Sequence, residues 1–173
     1  MLHFTVHYPF APVLRREPST DRKYHQIVFP MTDTTTLSSP SISLDQATIV
    51  AFARMFDPQP YHLDEAAADA SIFGGLCASG WQVAALSSRL TGEALASSNI
   101  VYVTTTQVSS MRWLRPTFVN DQLMAKVTTG ERSAGSPVPG CDTLSVTVAI
   151  QDGNAQPVAE MRCLVAVDQE AGE

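Results

Sequence analysis

Residues 81–95, WQVAALSSRLTGEAL, carry the longest helical pattern in this chain. Apolar residues cover most of the circumference of the helix, rather than one stripe, at Trp81, Val83, Ala84, Ala85, Leu86, Leu90 and Leu95. A helix that is apolar on nearly all sides has to be largely buried. The sequence therefore predicts one long helix that the rest of the fold covers.

Four segments rich in β-branched and aromatic residues follow this helix, at residues 100–115, 123–129, 143–150 and 158–167. Apolar and polar residues alternate in LSVTV, residues 144–148, as in a strand with one buried face. Turn-length links between successive strands favour an antiparallel sheet. We predict an α+β fold in which this sheet wraps the helix, with an open edge suited to a twofold partner.

Two short helices are predicted before the long one. Ser43 and Gln46 have the spacing of a capping box, and apolar residues at helical spacing follow to residue 56. Asp64 is interpreted as the N-cap of a second brief helix at residues 65–69.

Prolines and glycines mark the connections between these helices. Pro58 and Pro60 each lack an N–H and disfavour helical geometry at the preceding residue, so residues 57–63 are predicted to form a stiff extended loop. Extended geometry would point the Tyr61 ring away from its neighbour at 62, towards the core. Gly74-Gly75 predicts a tight turn.

Length and composition indicate a single domain. The chain has 173 residues and a mass of 18.7 kDa, which fits one compact core. We assign residues 41–168 to this domain, residues 1–40 to a partly irregular N-terminal extension, and residues 169–173 to a C-terminal tail. In the extension, residues 32–39 have the composition of a loop, and the apolar run at residues 27–29 is the best candidate for a strand.

Charge and cysteine content exclude several classes of function. Eleven Lys and Arg residues against seventeen Asp and Glu give a net charge of −6, which predicts no attraction to nucleic acid or anionic membranes. No basic leader and no run of eighteen apolar residues is present, so neither secretion nor membrane insertion is expected. Cys77, Cys141 and Cys163 are an odd set without CxxC spacing, which favours a reducing compartment and a cytoplasmic protein.

Two other candidate sites are given little weight. His3 and His7 stand four residues apart without a further ligand, so no metal site is expected. Cys77 has no identifiable base beside it and is interpreted as a small buried residue rather than a nucleophile.

The chemically dense stretch is FDPQPYHLD, residues 56–64, in which Asp57 and His62 lie five positions apart. A carboxylate and an imidazole that converge on one water suit hydration or dehydration beside a carbonyl, because one group takes a proton as the other delivers one. In the alternative interpretation of this spacing, Asp57 is simply a cap and His62 is an ordinary surface histidine. Residues 73–80, FGGLCASG, lead into the long helix and leave N–H groups free to stabilise negative charge, unless the glycines serve only close packing.

The segments FDPQPYHLDEAAADASIFGGLCASGW, residues 56–81, and MRWLRPTFVNDQL, residues 111–123, resemble the MaoC-type acyl dehydratases, relatives of the (R)-specific enoyl-CoA hydratases. The resemblance covers residues 41–167. It implies a hot-dog fold, usually a homodimer or higher homo-oligomer with acyl-CoA tunnels near the interface. It also implies a role in fatty acid metabolism with an acyl-CoA thioester as substrate and no cofactor, coenzyme A being only the carrier of the acyl group.

The resemblance assigns water activation and proton transfer to Asp57 and His62, and binding of the thioester oxygen to the Gly80 N–H. Gln59, a candidate residue of the substrate pocket, stands where the hydratases commonly have Asn, and Phe56 stands where they commonly have Gly. These departures put chain length and turnover in question more than reaction type. Ser88 falls near a serine that some hydratases place in the pocket.

Several further residues have a supporting role or an alternative one. Trp81 is expected to shape the pocket wall at the start of the long helix. Four basic residues on or near strands are candidates for the phosphates of coenzyme A, or are simply solvated: Arg112, Arg115, Lys126 and Arg132. The resemblance leaves two alternatives to a hydratase, namely an acyl-CoA thioesterase and a catalytically inactive acyl-binding subunit.

Overall fold

A computed structural model describes residues 34–169 of the chain. Within this range the elements are β1 (Thr36–Ser38), β2 (Ile42–Ser43), α1 (Gln46–Phe56), α2 (Pro60–Leu63), α3 (Glu65–Asp69), α4 (Gly80–Ala96), β3 (Tyr102–Trp113), β4 (Gln122–Ser133), β5 (Cys141–Asp152) and β6 (Pro157–Asp168). The predicted long helix and the four predicted strands are confirmed as α4 and β3 to β6.

The strands form one antiparallel sheet in the order β1-β4-β5-β6-β3, and β2 also pairs with β4. The buried face follows the alternation in the sequence, since Val127 lies opposite Val148, and Leu144 opposite Val165. These side chains and fully buried Leu90 of α4 belong to one hydrophobic core. The predicted α+β hot-dog architecture, a sheet wrapped around one helix, is therefore confirmed.

Helix α4 is buried along most of its length even though it contains hydroxyl residues. Ser87 and Thr91 are fully buried, and their hydroxyls donate to the carbonyls of Val83, at 2.8 Å, and Ser87, at 2.7 Å. Bonding to a carbonyl one turn back removes the cost of an unpaired buried hydroxyl. Two of the apolar residues predicted to be buried are exposed: Trp81 at the first turn, with 61% of its surface accessible, and Ala85.

Helix α1 ends near residue 56 as predicted, but the N-cap predicted for it is wrong. Asp45, not Ser43, is the N-cap, and its Oδ1 accepts the Thr48 N–H at 2.7 Å. Ser43 lies in β2, opposite Gln122 of β4. Pairing with β4 holds the Ser43 backbone in an extended conformation and delays the start of the helix by two residues.

The predicted extended loop at residues 57–63 is only partly correct. The backbone is extended at Gln59, but Pro60 opens the helical turn α2. Proline is tolerated at the first helical position because the N–H that it lacks has no partner there anyway. Asp64 caps α3 as predicted, with its Oδ1 accepting the Ala67 N–H at 2.8 Å.

The segment before residue 41 contributes to the sheet. Thr36–Ser38, in a stretch interpreted as a loop, pairs with residues 126–128 of β4 as strand β1. The strand predicted near residues 27–29 lies outside the described residues, as does most of the extension. In the described part of the chain, no helix is long and apolar enough to span a membrane.

Candidate active site

The structure brings Asp57 and His62 together. His62 Nε2 lies 3.6 Å from Asp57 Oδ2, with the His62 side chain 7% exposed and the Asp57 side chain 22% exposed. Asp57 is the residue that ends α1, where its N–H donates to the Ala53 carbonyl at 2.9 Å, and His62 lies in the turn α2. The fold therefore buries an imidazole almost completely while leaving the neighbouring carboxylate within reach of solvent.

One hydrogen bond fixes the orientation of the imidazole. His62 Nδ1 lies 2.7 Å from the Cys77 carbonyl oxygen, which can only accept, so Nδ1 carries a proton. In the neutral ring the lone pair is then on Nε2, the nitrogen that faces Asp57. The ring is thus held as a proton acceptor pointing into the site.

Tyr61 packs against this imidazole, contrary to the prediction that its ring would point away. The Tyr61 and His62 ring centroids are 4.6 Å apart in an edge-on arrangement. The Phe73 ring also packs against Tyr61, with ring centroids 4.9 Å apart. The prediction was wrong because residues 60–63 are helical, and consecutive side chains on a helical turn do not point to opposite sides.

Ser79 also contacts Asp57, and the sequence analysis gave it no role. Its hydroxyl donates to Asp57 Oδ2 at 2.6 Å, and its oxygen accepts the Trp81 N–H at 3.1 Å as the N-cap of α4. A serine directly before a helical pattern is a recognisable N-cap signal. No such signal exists for its contact with a carboxylate 22 positions earlier in the chain.

Gly80 is the first residue of α4, directly beside Ser79. Among the described residues, no acceptor is hydrogen-bonded to its N–H. Its carbonyl accepts the Trp113 indole N–H at 2.7 Å, and an added Cβ would lie 2.9 Å from that indole nitrogen. Glycine is therefore required here for close approach of the indole, and it leaves one backbone donor available at the helix N-terminus.

Among the residues that the structure describes, the side chains of the other predicted site residues make no hydrogen bond to Asp57 or His62. Trp81 is exposed and packs edge-on against Trp113, with ring centroids 5.2 Å apart. Gln59 is exposed, and its side chain makes no hydrogen bond within residues 34–169. Ser88 is hydrogen-bonded to the Tyr102 hydroxyl at 2.7 Å, and no hydrogen bond joins it to Asp57 or His62.

Three of the four basic candidates for phosphate binding already have carboxylate partners. Arg112 lies 3.5 Å from Glu160, Arg115 lies 2.9 Å from Asp152, and Arg132 lies 3.0 Å from Asp142. The pKa of Asp142 is lowered: desolvation opposes the shift, but hydrogen bonds from Gln169, Gly135 and Arg132 outweigh it. Lys126 is exposed and has no ion pair in the part of the chain that the structure describes.

Cys77 lies close to the imidazole without the properties of a nucleophile. Its sulfur is 3.7 Å from His62 Nδ1, the residue is 1% exposed, and burial raises the pKa of the thiol. A thiol held neutral and away from solvent is inert. Between residues 34 and 169 no cluster of three or more His, Cys, Asp or Glu side chains is arranged to hold a metal ion. His3 and His7 lie outside the described residues.

The sheet wrapped around α4 defines a hot-dog protein, and a carboxylate and an imidazole are paired beside the N-terminus of that helix. The chain belongs to the MaoC-like dehydratase family, since the family model described as "MaoC like domain" matches residues 28–150. The MaoC-like dehydratase from Rhodospirillum rubrum is 31% identical, with a TM-score of 0.64 over 78% of this chain and 91% of that chain.

Two further similar proteins are an (R)-hydratase and an uncharacterized protein. The (R)-hydratase from A. caviae involved in PHA biosynthesis is 26% identical, with a TM-score of 0.54 over 76% of this chain and 93% of that chain. YdeM of Bacillus subtilis (strain 168), an uncharacterized protein, is 33% identical over 88 residues. That match spans 50% of this chain and 61% of YdeM, less than two thirds of its length.

Proposed function

We propose that this protein adds water to, or removes it from, the α,β double bond of a 2-enoyl-CoA thioester. The observation that carries the proposal is the pairing of Asp57 with His62, whose ring is fixed by the Cys77 carbonyl so that Nε2 faces the carboxylate at 3.6 Å. Two proton-accepting groups that converge from adjacent elements suit the activation of one water molecule.

In the hydration direction, the water oxygen forms a bond to Cβ and the π electrons of the double bond move towards the thioester carbonyl. His62 Nε2 takes a proton from the water, and the resulting imidazolium is stabilised by the carboxylate of Asp57. Collapse of the enolate then takes this proton from the His62 imidazolium at Cα, which restores the neutral ring, so that the product carries the hydroxyl on Cβ and the new hydrogen on Cα. Dehydration follows the same steps in reverse.

The Gly80 N–H would stabilise the negative charge that develops on the thioester oxygen. It is unpartnered within the described chain and stands at the N-terminus of the 17-residue helix α4, where the helix dipole also favours negative charge. One donor of this kind typically contributes about 10²- to 10³-fold to the rate.

A homodimer is part of the proposal. Strand β3 is an edge of the sheet, and within the described residues it pairs only with β6. Val101, Val103 and Val108 near or on this edge are between 44% and 51% exposed, and a second copy would cover them. If this edge forms the interface, Val108→Lys should shift the mass measured by light scattering from dimer to monomer, whereas Lys126→Ala on β4 should not.

A cytoplasmic location is also proposed, because the three cysteines are free and buried, as suits a reducing compartment.

The test of the activity is the loss of conjugated enoyl-thioester absorbance with crotonyl-CoA and longer 2-enoyl-CoAs. Asp57→Asn and His62→Ala should each lower kcat/KM by about 10²- to 10⁴-fold. Asp69→Asn is the matched control, because it makes the same chemical change at an exposed carboxylate on α3. Circular dichroism of each variant checks the fold.

The alternatives make different predictions in the same set of assays. A thioesterase would release free coenzyme A from saturated acyl-CoA substrates and would leave the double bond of an enoyl-CoA intact. A catalytically inactive subunit would bind acyl-CoA without turnover of either kind. Absence of hydration on every enoyl thioester, with the protein folded, would refute the hydratase.

A further inference from the structure

We infer that Ser79 is a positioning residue for the reaction. Its hydroxyl sets the orientation of the Asp57 carboxylate and, because Ser79 and Gly80 are adjacent, also sets the distance between that carboxylate and the Gly80 N–H. The inference rests on the proposed function. Ser79 is fully buried, and no sequence signal pointed to a role for it in the site.

Ser79 is the closest polar partner of the carboxylate. Its hydroxyl oxygen is 2.6 Å from Asp57 Oδ2, whereas His62 Nε2 lies 3.6 Å from the same oxygen. A distance of 2.6 Å is that of a strong O–H···O⁻ hydrogen bond, whereas 3.6 Å exceeds hydrogen-bonding range. The serine, more than the histidine, therefore fixes the direction of the carboxyl group.

The direction of the hydrogen bond is determined by the second contact of the same hydroxyl. The Ser79 oxygen accepts the Trp81 N–H at 3.1 Å, and an ionised carboxylate can only accept, so the serine proton points at Asp57. Asp57 Oδ2 therefore accepts the Ser79 hydroxyl and faces His62 Nε2. Within the described residues Asp57 Oδ1 has no hydrogen-bond partner and is the oxygen left to hold a water.

A segment of four residues, Cys77 to Gly80, then organises the whole site. The Cys77 carbonyl holds the imidazole, the Ser79 hydroxyl holds the carboxylate, and the Gly80 N–H faces the proposed thioester oxygen. The segment is itself anchored, because the Ala78 N–H donates to the Thr117 carbonyl at 2.8 Å. Since Ser79 and Gly80 are adjacent, the distance between the water and the polarised carbonyl depends on one peptide unit.

The variants Ser79→Ala and Ser79→Gly separate this role from helix capping. Both remove the hydroxyl, but glycine is a much better N-cap than alanine. If kcat falls because Asp57 is misplaced, the fall should therefore be equal in the two variants. If it falls because the N-terminus of α4 frays, the fall should be larger for Ser79→Ala. Ser97→Ala is the matched control, since it removes a hydroxyl that bonds to the Ala94 carbonyl at the other end of the same helix.

The measurements are kcat and KM on an enoyl-CoA that the unaltered protein turns over. In both Ser79 variants we expect kcat to fall by up to about 100-fold, as a misplaced catalytic group does, with little change in KM. Ser97→Ala should match the unaltered protein.

Three results would overturn the inference. The first is unchanged kcat in folded Ser79→Gly, and the second is a loss of kcat confined to Ser79→Ala that follows its melting temperature. In both cases the unaltered protein still hydrates, so the proposed function survives. The third is no turnover by the unaltered protein on any enoyl thioester, which removes the proposed function and this role of Ser79 together.

Discussion

Replacement of Gly80 by alanine should separate activity from stability. The added Cβ would lie 2.9 Å from Trp113 Nε1 and 3.1 Å from both Cδ1 and Cε2 of the indole. Ordinary van der Waals contact begins near 3.4 Å, so the ring has to move by at least several tenths of an ångström. The side chain can do so because it is 43% exposed, but the 2.7 Å hydrogen bond from its N–H to the Gly80 carbonyl would be lost.

The two contributions to stability nearly cancel. Loss of one neutral hydrogen bond costs about 0.5–1.5 kcal/mol. Alanine in place of glycine in a helix contributes up to about 1 kcal/mol in the opposite direction. The free energy of unfolding should therefore change by no more than about 1 kcal/mol, which corresponds to roughly 2–4 °C in Tm for a chain of this size.

Activity should change far more, because the methyl group stands beside the N–H that we assign to the thioester oxygen. Blocking such a donor lowers kcat by about 10²- to 10³-fold. Hydration of crotonyl-CoA and a thermal melt measure the two effects side by side. Trp113→Phe alone is the control for the lost indole hydrogen bond, because it leaves the glycine N–H accessible. A Gly80→Ala variant that melts normally and hydrates at the unaltered rate would refute the role of the Gly80 N–H.

Three further predictions concern stability and cysteine chemistry. The lowered pKa of Asp142 means that its carboxylate stabilises the fold above about its unfolded value of 3.8, and that this contribution is lost as pH falls further. Thermal melts should therefore show Asp142→Asn less stable than the unaltered protein at pH 7, with a difference in Tm that shrinks as the pH falls below 3.8; a difference that stays constant with pH would contradict this. Leu90→Ala empties a fully buried position in the core and should lower the free energy of unfolding by about 2–5 kcal/mol, whereas Leu114→Ala, at a position 37% exposed, should cost much less in the same denaturant titration. Burial raises the pKa of Cys163 to about 11, so a thiol reagent at pH 8 should label it only after denaturation; rapid labelling of the folded protein would show that the thiol is accessible.

The central elements were predictable because their signals are local. The apolar circumference of residues 81–95 requires burial whatever surrounds it, and the alternation at residues 144–148 fixes which face of β5 is buried. The N-cap role of Asp64 was predictable for the same reason, since a side chain that accepts an N–H three residues on is a purely local arrangement.

The elements that were missed depend on contacts between distant residues. Strand β1 consists of three residues with a loop-like composition, and its backbone becomes a strand only because β4 offers hydrogen bonds to this stretch, such as that from Ser39 N–H to the Ala125 carbonyl at 2.9 Å. The bond between Ser79 and Asp57 is similar, because nothing in the residues around either position indicates the other. The separation of Asp57 and His62 left their pairing as one of two interpretations, which the family resemblance favoured, and nothing in the sequence indicated the carbonyl that orients the ring.

Asp57 and Gly80 both lie beside the N-terminus of α4, so the proposed reaction brings two negative charges close together. In the proposed reaction, the N-terminus of α4 would stabilise both an ionised Asp57 and an enolate oxygen, yet two negative charges side by side repel each other. The proposed transfer of the water proton to His62 resolves this conflict, since the imidazolium forms beside Asp57 as the enolate develops. A His62→Gln variant keeps a polar side chain but cannot take the proton. It should therefore bind enoyl-CoA with little change in KM and lose about 10²- to 10⁴-fold in kcat. If His62→Gln instead raised KM as much as it lowered kcat, His62 would be assigned to binding the substrate.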